Sequence, residues 1–85
     1  MTLDEAVAAV ARTLSSDQLR VDRRLARHDE SAYLLIVLDV RRHLEDGDVP
    51  IENGPRLVTK ASGVVTRLTV PEAVARAEVM TLVQA

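Results

Sequence analysis

Cysteine, tryptophan and phenylalanine are absent from this chain of 85 residues, which has a single tyrosine. Without cysteine there is no disulfide framework, no thiol nucleophile and no cysteine-ligated zinc site. With one aromatic side chain, the core must consist of leucine, valine, isoleucine and alanine, and stacking platforms for single-stranded nucleic acid are missing. Apolar runs are short, and the one from Tyr33 to Leu38 falls far below the ~20 residues that cross a bilayer.

The chain also has no large excess of charge of one sign, because 11 basic and 13 acidic side chains leave a formal net charge of −2. Nucleic-acid-binding domains usually carry a clear basic excess, so we expect neither a nucleic-acid nor a membrane partner. Asp4 and Glu5 stand where a signal peptide would carry basic residues. We therefore expect a cytoplasmic protein, and the length predicts a single domain over residues 1–85.

Helix-start signals stand near both ends of the chain. Thr2 and Glu5 are spaced as a capping box, and apolar residues then recur at helical spacing, which predicts a helix over residues 3–15. A second capping box occupies residues 69–72, with a proline in its first turn. The apolar stripe behind it predicts a helix that continues towards the C-terminus through Val74, Ala77, Met80 and Val83.

The middle of the chain has the pattern of an antiparallel sheet. Residues 32–40 have the pattern of a strand. From Tyr33 on, the side chains of both faces are apolar, so both faces should be covered. The first helix covers one face, and we expect the C-terminal segment or a second subunit to cover the other. Residues 17–28 fit a strand or a helix, and we favour a strand because a polar turn at 28–31 would join the two as a hairpin. The remaining sheet elements are an Asn53-Gly54-Pro55 turn and strands at 57–59 and 64–66 joined around Gly63.

These elements predict an α+β domain: an N-terminal helix on a small antiparallel sheet of three or four strands, with a C-terminal helix. So small an aliphatic core leaves little volume for a pocket, and we expect none. His28 and His43 fall in predicted polar turns without a second ligand at metal spacing. No phosphate loop, dinucleotide fingerprint or serine–histidine arrangement is present, so we expect no catalytic residue, no cofactor and no metal.

Two neighbouring predicted strands carry a cluster of six arginines: Arg20, Arg23, Arg24, Arg27, Arg41 and Arg42. The cluster is a candidate docking face for an acidic protein surface, since guanidinium groups bind carboxylates bidentately. The charged loop before the Asn-Gly-Pro turn is a second candidate. The candidate partner-binding residues are Arg20, Arg24, Arg41, Asp46, Asp48 and Glu52. The alternative is that cross-strand ion pairs neutralise the arginines within the fold, with Asp17, Asp22, Asp29 and Asp39 as their partners.

The order of these motifs resembles the YrhB-type domain, a family also described among the immunity proteins of bacterial polymorphic-toxin systems. The resemblance rests on a hydrophobic strand, a charged stretch ending in Gly-Asp and a glycine hairpin: Tyr33–Val37, Leu44–Asp48, Asn53-Gly54-Pro55, Leu57-Val58, Lys60, Ser62-Gly63 and Leu68. It implies a cystatin-like outline, with a helix across an antiparallel sheet. It also implies binding to a cognate toxin, and no catalytic residues.

Three functions remain open on the sequence. The first is an immunity-type inhibitor with one tight partner. The second is a chaperone-like stress protein that holds unfolded clients through exposed aliphatic surface. The third is a self-associating module, a possible homodimer, in which the doubly apolar strand and the broad apolar arc of the last helix bury against a symmetry mate.

Overall fold

The structure is a computed structural model and describes residues 1–14, 19–39 and 54–83. In chain order its elements are α1 (Leu3–Ala11), β1 (Leu19–His28), β2 (Ala32–Asp39), β3 (Gly54–Thr59), β4 (Val65–Arg67), α2 (Val70–Ala77) and β5 (Thr81–Leu82). The strands form one antiparallel sheet in the order β4-β3-β2-β1-β5. The α+β fold with a helix packed on the sheet and a second helix near the C-terminus is confirmed. Neither helix in the described ranges is long and apolar enough to cross a membrane.

Helix α1 begins with the predicted capping box. The Thr2 hydroxyl accepts from the Glu5 amide at 3.2 Å, and the Thr2 amide donates to the Glu5 carboxylate at 2.8 Å. That second bond lowers the pKa of Glu5. The helix ends at Ala11, earlier than predicted, because Thr13 donates from its amide and its hydroxyl to the Val10 carbonyl and closes a turn there.

Strands β1 and β2 form the predicted hairpin, so residues 19–28 are a strand and not a helix. The turn between them is organised by Asp29, whose carboxylate accepts from the amide and the hydroxyl of Ser31 at 2.8 and 2.9 Å. The placement of His28 in this turn is wrong. His28 is the last residue of β1, and its ring stacks on that of Tyr33, its register partner on β2.

Strands β3 and β4 form the second predicted hairpin. Gly63 has a φ of +73°, and its amide donates to the Thr59 carbonyl at 2.7 Å, a left-handed turn position that favours glycine. Gly54 and Pro55 are the first residues of β3 and pair with β2. Gly54 has a φ of +135°, a conformation that favours glycine. Asn53 lies outside the described residues.

The central strand β2 is apolar on both sides, and a helix packs against each face, as the sequence predicts. Tyr33, Leu35 and Val37 belong to the core on the α1 side, which also contains Ala6, Val10, Leu19, Ala26 and Val58. Ala32 and Leu34 point the other way, into a smaller core with Ala73 and Met80. The C-terminal segment therefore covers part of the second face without a second subunit.

Helix α2 begins with the second predicted capping box, in which the Thr69 amide donates to the Glu72 carboxylate at 2.9 Å and the Thr69 hydroxyl accepts from the Glu72 amide at 3.3 Å. The first of these bonds lowers the pKa of Glu72. With proline in the first turn and an acidic residue near the positive end of the helix dipole, the sequence at this end suits a helix start. Ala73 is the residue that α2 buries.

The end of the chain differs from the prediction, because the helix stops at Ala77 and the chain then extends. Thr81 and Leu82 form β5, the fifth strand, which pairs with β1. The Val83 amide donates to the Ala26 carbonyl at 2.9 Å, and the Val83 side chain packs on the α1-side core. Pairing with β1 gives this backbone hydrogen-bond partners that helical periodicity does not reveal.

Candidate functional site

An apolar groove with a volume of about 520 Å³ lies between α2 and the part of the sheet that α2 leaves uncovered. Its lining includes Leu25 of β1, Ile36 and Leu38 of β2, Pro55 of β3, and Val70 and Val74 of α2. Leu25, Val70 and Val74 are 50%, 67% and 55% exposed, so the groove is open to solvent. The expectation that so small a domain has no pocket is wrong.

The groove exists because α2 crosses the strands and is narrower than the strands are long. At ~3.4 Å per residue, the eight residues of β2 extend ~27 Å, whereas a helix with its side chains is ~10 Å across. The chain leaves β4 at one edge of the sheet and enters β5 at the other, so α2 crosses the strands near Ala32 and Leu34. Ile36 and Leu38, farther along β2, are left in the groove.

A large β-bulge in β1 builds the opposite wall. Asp22 pairs with Ile36 and Arg27 with Leu34, so β1 uses residues 23–26 where β2 uses one residue. Such a bulge changes which side chains point to which face. Ala26 is buried in the α1-side core, whereas Arg24 and Leu25 line the groove.

The described lining contains two charged side chains, Arg24 and Arg27, and none that is acidic. Arg24 is held by Asp22 on its own strand: its Nε and Nη2 each lie 3.3 Å from a carboxylate oxygen, and its amide donates to Oδ1 at 3.0 Å. The side-chain bond lowers the pKa of Asp22 and raises that of Arg24. Arg27 donates from Nη1 to the Met80 carbonyl at 3.3 Å.

The structure divides the predicted arginine cluster between the two faces of the sheet. Arg24 lines the groove, and exposed Arg20 lies on the groove side because its register partner Leu38 does. Arg23 turns to the other side and pairs with Asp4 of α1 at 2.7 Å. The other predicted members and loop residues, Arg41, Arg42, Asp46, Asp48 and Glu52, lie outside the described residues.

Some of the arginines are neutralised within the fold, as the alternative predicts, but not by the predicted cross-strand ion pairs. Asp22 pairs with Arg24 along one strand, and not across strands. Asp29 pairs with Arg76 of α2 at 3.4 Å, and not with an arginine of β1. Arg20 makes none of the described ion pairs. The groove face therefore keeps positive charge at Arg20 and Arg27 beside the compensated Arg24.

His28, Tyr33 and Lys60 form a cluster on the α1 side that the sequence does not reveal. The His28 and Tyr33 rings stack with centroids 5.7 Å apart, and Lys60 Nζ lies 4.7 Å from the Tyr33 centroid and 3.4 Å from His28 Nδ1. The Tyr33 hydroxyl donates to the Met1 carbonyl at 3.2 Å. These contacts hold the N-terminus on the sheet. In the described part of the chain no three histidine, aspartate or glutamate residues are grouped to hold a metal.

Comparison of the chain with protein-family models, with curated proteins and with solved structures finds no match. The resemblance to the YrhB-type domain therefore stays a prediction. The groove is a candidate site formed by the described residues, and most of its lining escaped sequence reasoning. The feature of the sequence that could have predicted the groove is a strand apolar on both faces combined with a helix of eight residues, which is too small to cover one of those faces.

Proposed function

We propose that this chain is a protein-binding domain whose docking surface is the apolar groove between α2 and the sheet. The observation that carries the proposal is the exposure of Leu25, Val70 and Val74, each at least half exposed, around one cavity. Contiguous exposed apolar surface of this kind is typical of interaction sites. Small-molecule sites also have several convergent polar groups that orient the ligand, and here the only polar side chains of the described lining are the two arginines.

The more specific proposal is that the partner is a toxin domain that the chain binds and inhibits, in the cytoplasm. The resemblance of the Asn-Gly-Pro and Ser-Gly segments to the YrhB-type immunity family supports it. An inhibitor needs one complementary surface and no chemistry of its own, so this function is one of binding rather than catalysis. It requires one partner, bound tightly and in fixed stoichiometry.

A chaperone-like holdase is the second candidate. Val79, which follows α2, is 75% exposed, so apolar surface extends beyond the groove. A holdase would use this extended surface for weak binding to many unfolded clients. The two functions therefore differ in the number and stoichiometry of the bound proteins.

Capture from the native host's lysate, read by quantitative mass spectrometry, tests the proposal with two matched variants. Val74→Glu places a charge in the groove. Val64→Glu is the control: it places a charge at a valine of the β3–β4 hairpin that is equally exposed, at 56%, but lies outside the described lining. We expect one near-stoichiometric partner that the wild type and Val64→Glu retain and Val74→Glu loses. Many substoichiometric clients would favour the holdase, and a partner that both variants retain would overturn the groove as the docking surface.

A further inference from the structure

We infer that the segment docked in the groove is an amphipathic helix that places a carboxylate against Arg24 and Arg27. This inference rests on the proposed function and names the chemistry of the partner.

The strip of sheet that α2 leaves uncovered in the described structure has room for one helix. From Ile36 to the end of β2 at Asp39, the strand extends ~10–14 Å beyond the part that α2 covers, and helices pack 8–10 Å apart. A second helix beside α2 would rest on Ile36 and Leu38 and contact the exposed Val70 and Val74. It would meet these side chains with apolar residues at helical spacing, as in helix-in-groove recognition.

The charge of the lining selects an acidic helix. The described lining has two guanidinium groups and no carboxylate. On the same face of the sheet, Asp22, the register partner of Ile36, offsets the charge of Arg24, and Arg20, the register partner of Leu38, adds a further positive charge. A helix with glutamate or aspartate beside its apolar face would form charge-assisted hydrogen bonds with these groups. A lysine at that position would face like charge, which suppresses binding of the wrong partner.

Arg24 is already held in place for this contact. Asp22 binds its Nε and Nη2, which leaves Nη1, and the side chain is 85% exposed. Since the guanidinium group is fixed before the partner arrives, less side-chain freedom is lost on binding.

The probes are three fluorescently labelled synthetic helical peptides with leucine at positions i, i+4 and i+7. They differ only in the residue that flanks this face, which is glutamate, glutamine or lysine. Binding is followed by anisotropy at low and high salt. We expect the glutamate peptide to bind roughly tenfold tighter than the glutamine peptide at low salt, a ratio that equals ~1.4 kcal/mol, and the lysine peptide to bind weakest.

Two arginine variants and one control locate the contact. Arg24→Gln and Arg27→Gln should each reduce the preference for the glutamate peptide over the glutamine peptide to within about threefold. If Arg24→Gln is unstable because Asp22 loses its partner, the double variant Asp22→Asn/Arg24→Gln removes both charges and replaces it in the assay. Arg12→Gln, at the exposed C-cap residue of α1 on the other face of the sheet, should leave the preference unchanged. Equal affinity for the glutamate and lysine peptides, or a preference that survives both groove variants, would overturn the inference.

The remaining outcomes identify another occupant and each overturns the helix inference. Sodium laurate that competes with the glutamate peptide and binds more tightly would assign the groove to a small amphipathic anion. A sedimenting dimer that Val74→Glu dissociates would assign it to a second copy of the chain. If no peptide binds while capture of the host partner still depends on Val74, this inference fails and the proposed function stands. If capture does not depend on Val74, the proposed function fails as well.

Discussion

Asp29 is the side chain on which the β1–β2 turn depends. Its carboxylate accepts from the Ser31 and Ala32 amides and from the Ser31 hydroxyl, and Arg76 of α2 lies 3.4 Å from its other oxygen. Burial alone would raise the pKa of Asp29, but the bonds from Ser31 and Ala32 and the charge of Arg76 outweigh it. The pKa of Asp29 is therefore lower than its ordinary value of 3.8, and one residue links the turn to α2.

This lowered pKa predicts a pH-dependent contribution to stability. The folded state binds the proton less readily than the unfolded state, so the stabilisation is present above about pH 4 and is lost as the pH falls through the folded-state pKa. We expect Asp29→Asn to reduce the free energy of unfolding by on the order of 1 kcal/mol at pH 6, and the difference from wild type to shrink towards zero at acid pH.

Urea unfolding between pH 2 and pH 6 measures both quantities. Glu30→Gln is the matched control, because Glu30 is exposed in the same turn and makes none of the described hydrogen bonds or ion pairs. A difference between Asp29→Asn and wild type that stays constant over this pH range would contradict the linkage.

At the scale of elements, α2 is a short helix that depends on its cap. Its eight residues make about two turns, and isolated helices of that length are not stable in water. The described structure stabilises the helix through the capping box at Thr69, the packing of Ala73 on β2 and the ion pair of Arg76 with Asp29. Since Val70 and Val74 form a groove wall, the order of α2 also determines the shape of the groove.

Removing the cap should therefore affect stability and binding together. We expect Thr69→Ala to lower the free energy of unfolding by about 1 kcal/mol and to increase hydrogen exchange in α2 more than in β2. Thr69→Ser retains the hydroxyl and should restore most of the loss. An α2 whose exchange rates are the same in Thr69→Ala and wild type would show that packing alone holds this helix.

The β1 bulge is the element that makes one strand serve both faces. It directs Ala26 into the α1-side core and places Leu25 in the groove. Bulges are common near functional sites because they redirect side chains in this way. In the described structure β5 pairs only with the end of β1, so the first residues of β1 lie at an edge of the sheet. The bulge interrupts this edge and hinders its pairing with a strand of another molecule.

At the scale of the whole molecule, the protein has one well-filled core and one incomplete core on opposite faces of a single sheet. Leu35, Val37 and Val58 are fully buried on the α1 side. On the α2 side the core is smaller, and the groove adjoins it. A domain of this size has a stability of only ~4–13 kcal/mol. Stability and binding should therefore depend on different faces of the molecule.

Two leucines of the sheet test this separation. Leu35→Ala removes a fully buried side chain from the central strand and should cost about 2–5 kcal/mol, which unfolds a large fraction of molecules if the margin is at the low end. Leu25→Ala alters a side chain that is half exposed in the groove and should cost less than ~1 kcal/mol, yet weaken partner capture. Thermal unfolding and the capture assay together measure this, and the reverse pattern would show that the groove is part of the stabilising core.

The local elements of this fold can be predicted from the sequence because their determinants lie within a few residues of each other. Both capping boxes, the glycine at the left-handed position of the β3–β4 hairpin and the antiparallel hairpins agree with prediction, since a hydroxyl and an amide three residues apart meet whatever the rest of the chain does. The continuous apolar run from Tyr33 to Leu38 likewise predicted that β2 has two buried sides.

Only the tertiary structure decided the β1 bulge, the fifth strand, the division of the arginines between two faces, and the groove. Each depends on the register between strands: Leu34 and Ile36 of β2 determine where Arg27 and Asp22 of the neighbouring β1 stand, and Leu82 of β5 reaches Arg27 from the far end of the chain. Shifting a strand by one residue reverses the face of every side chain, and composition and spacing contain no record of that shift. The sequence therefore determined which helices and hairpins form, and long-range pairing decided which surface they leave open.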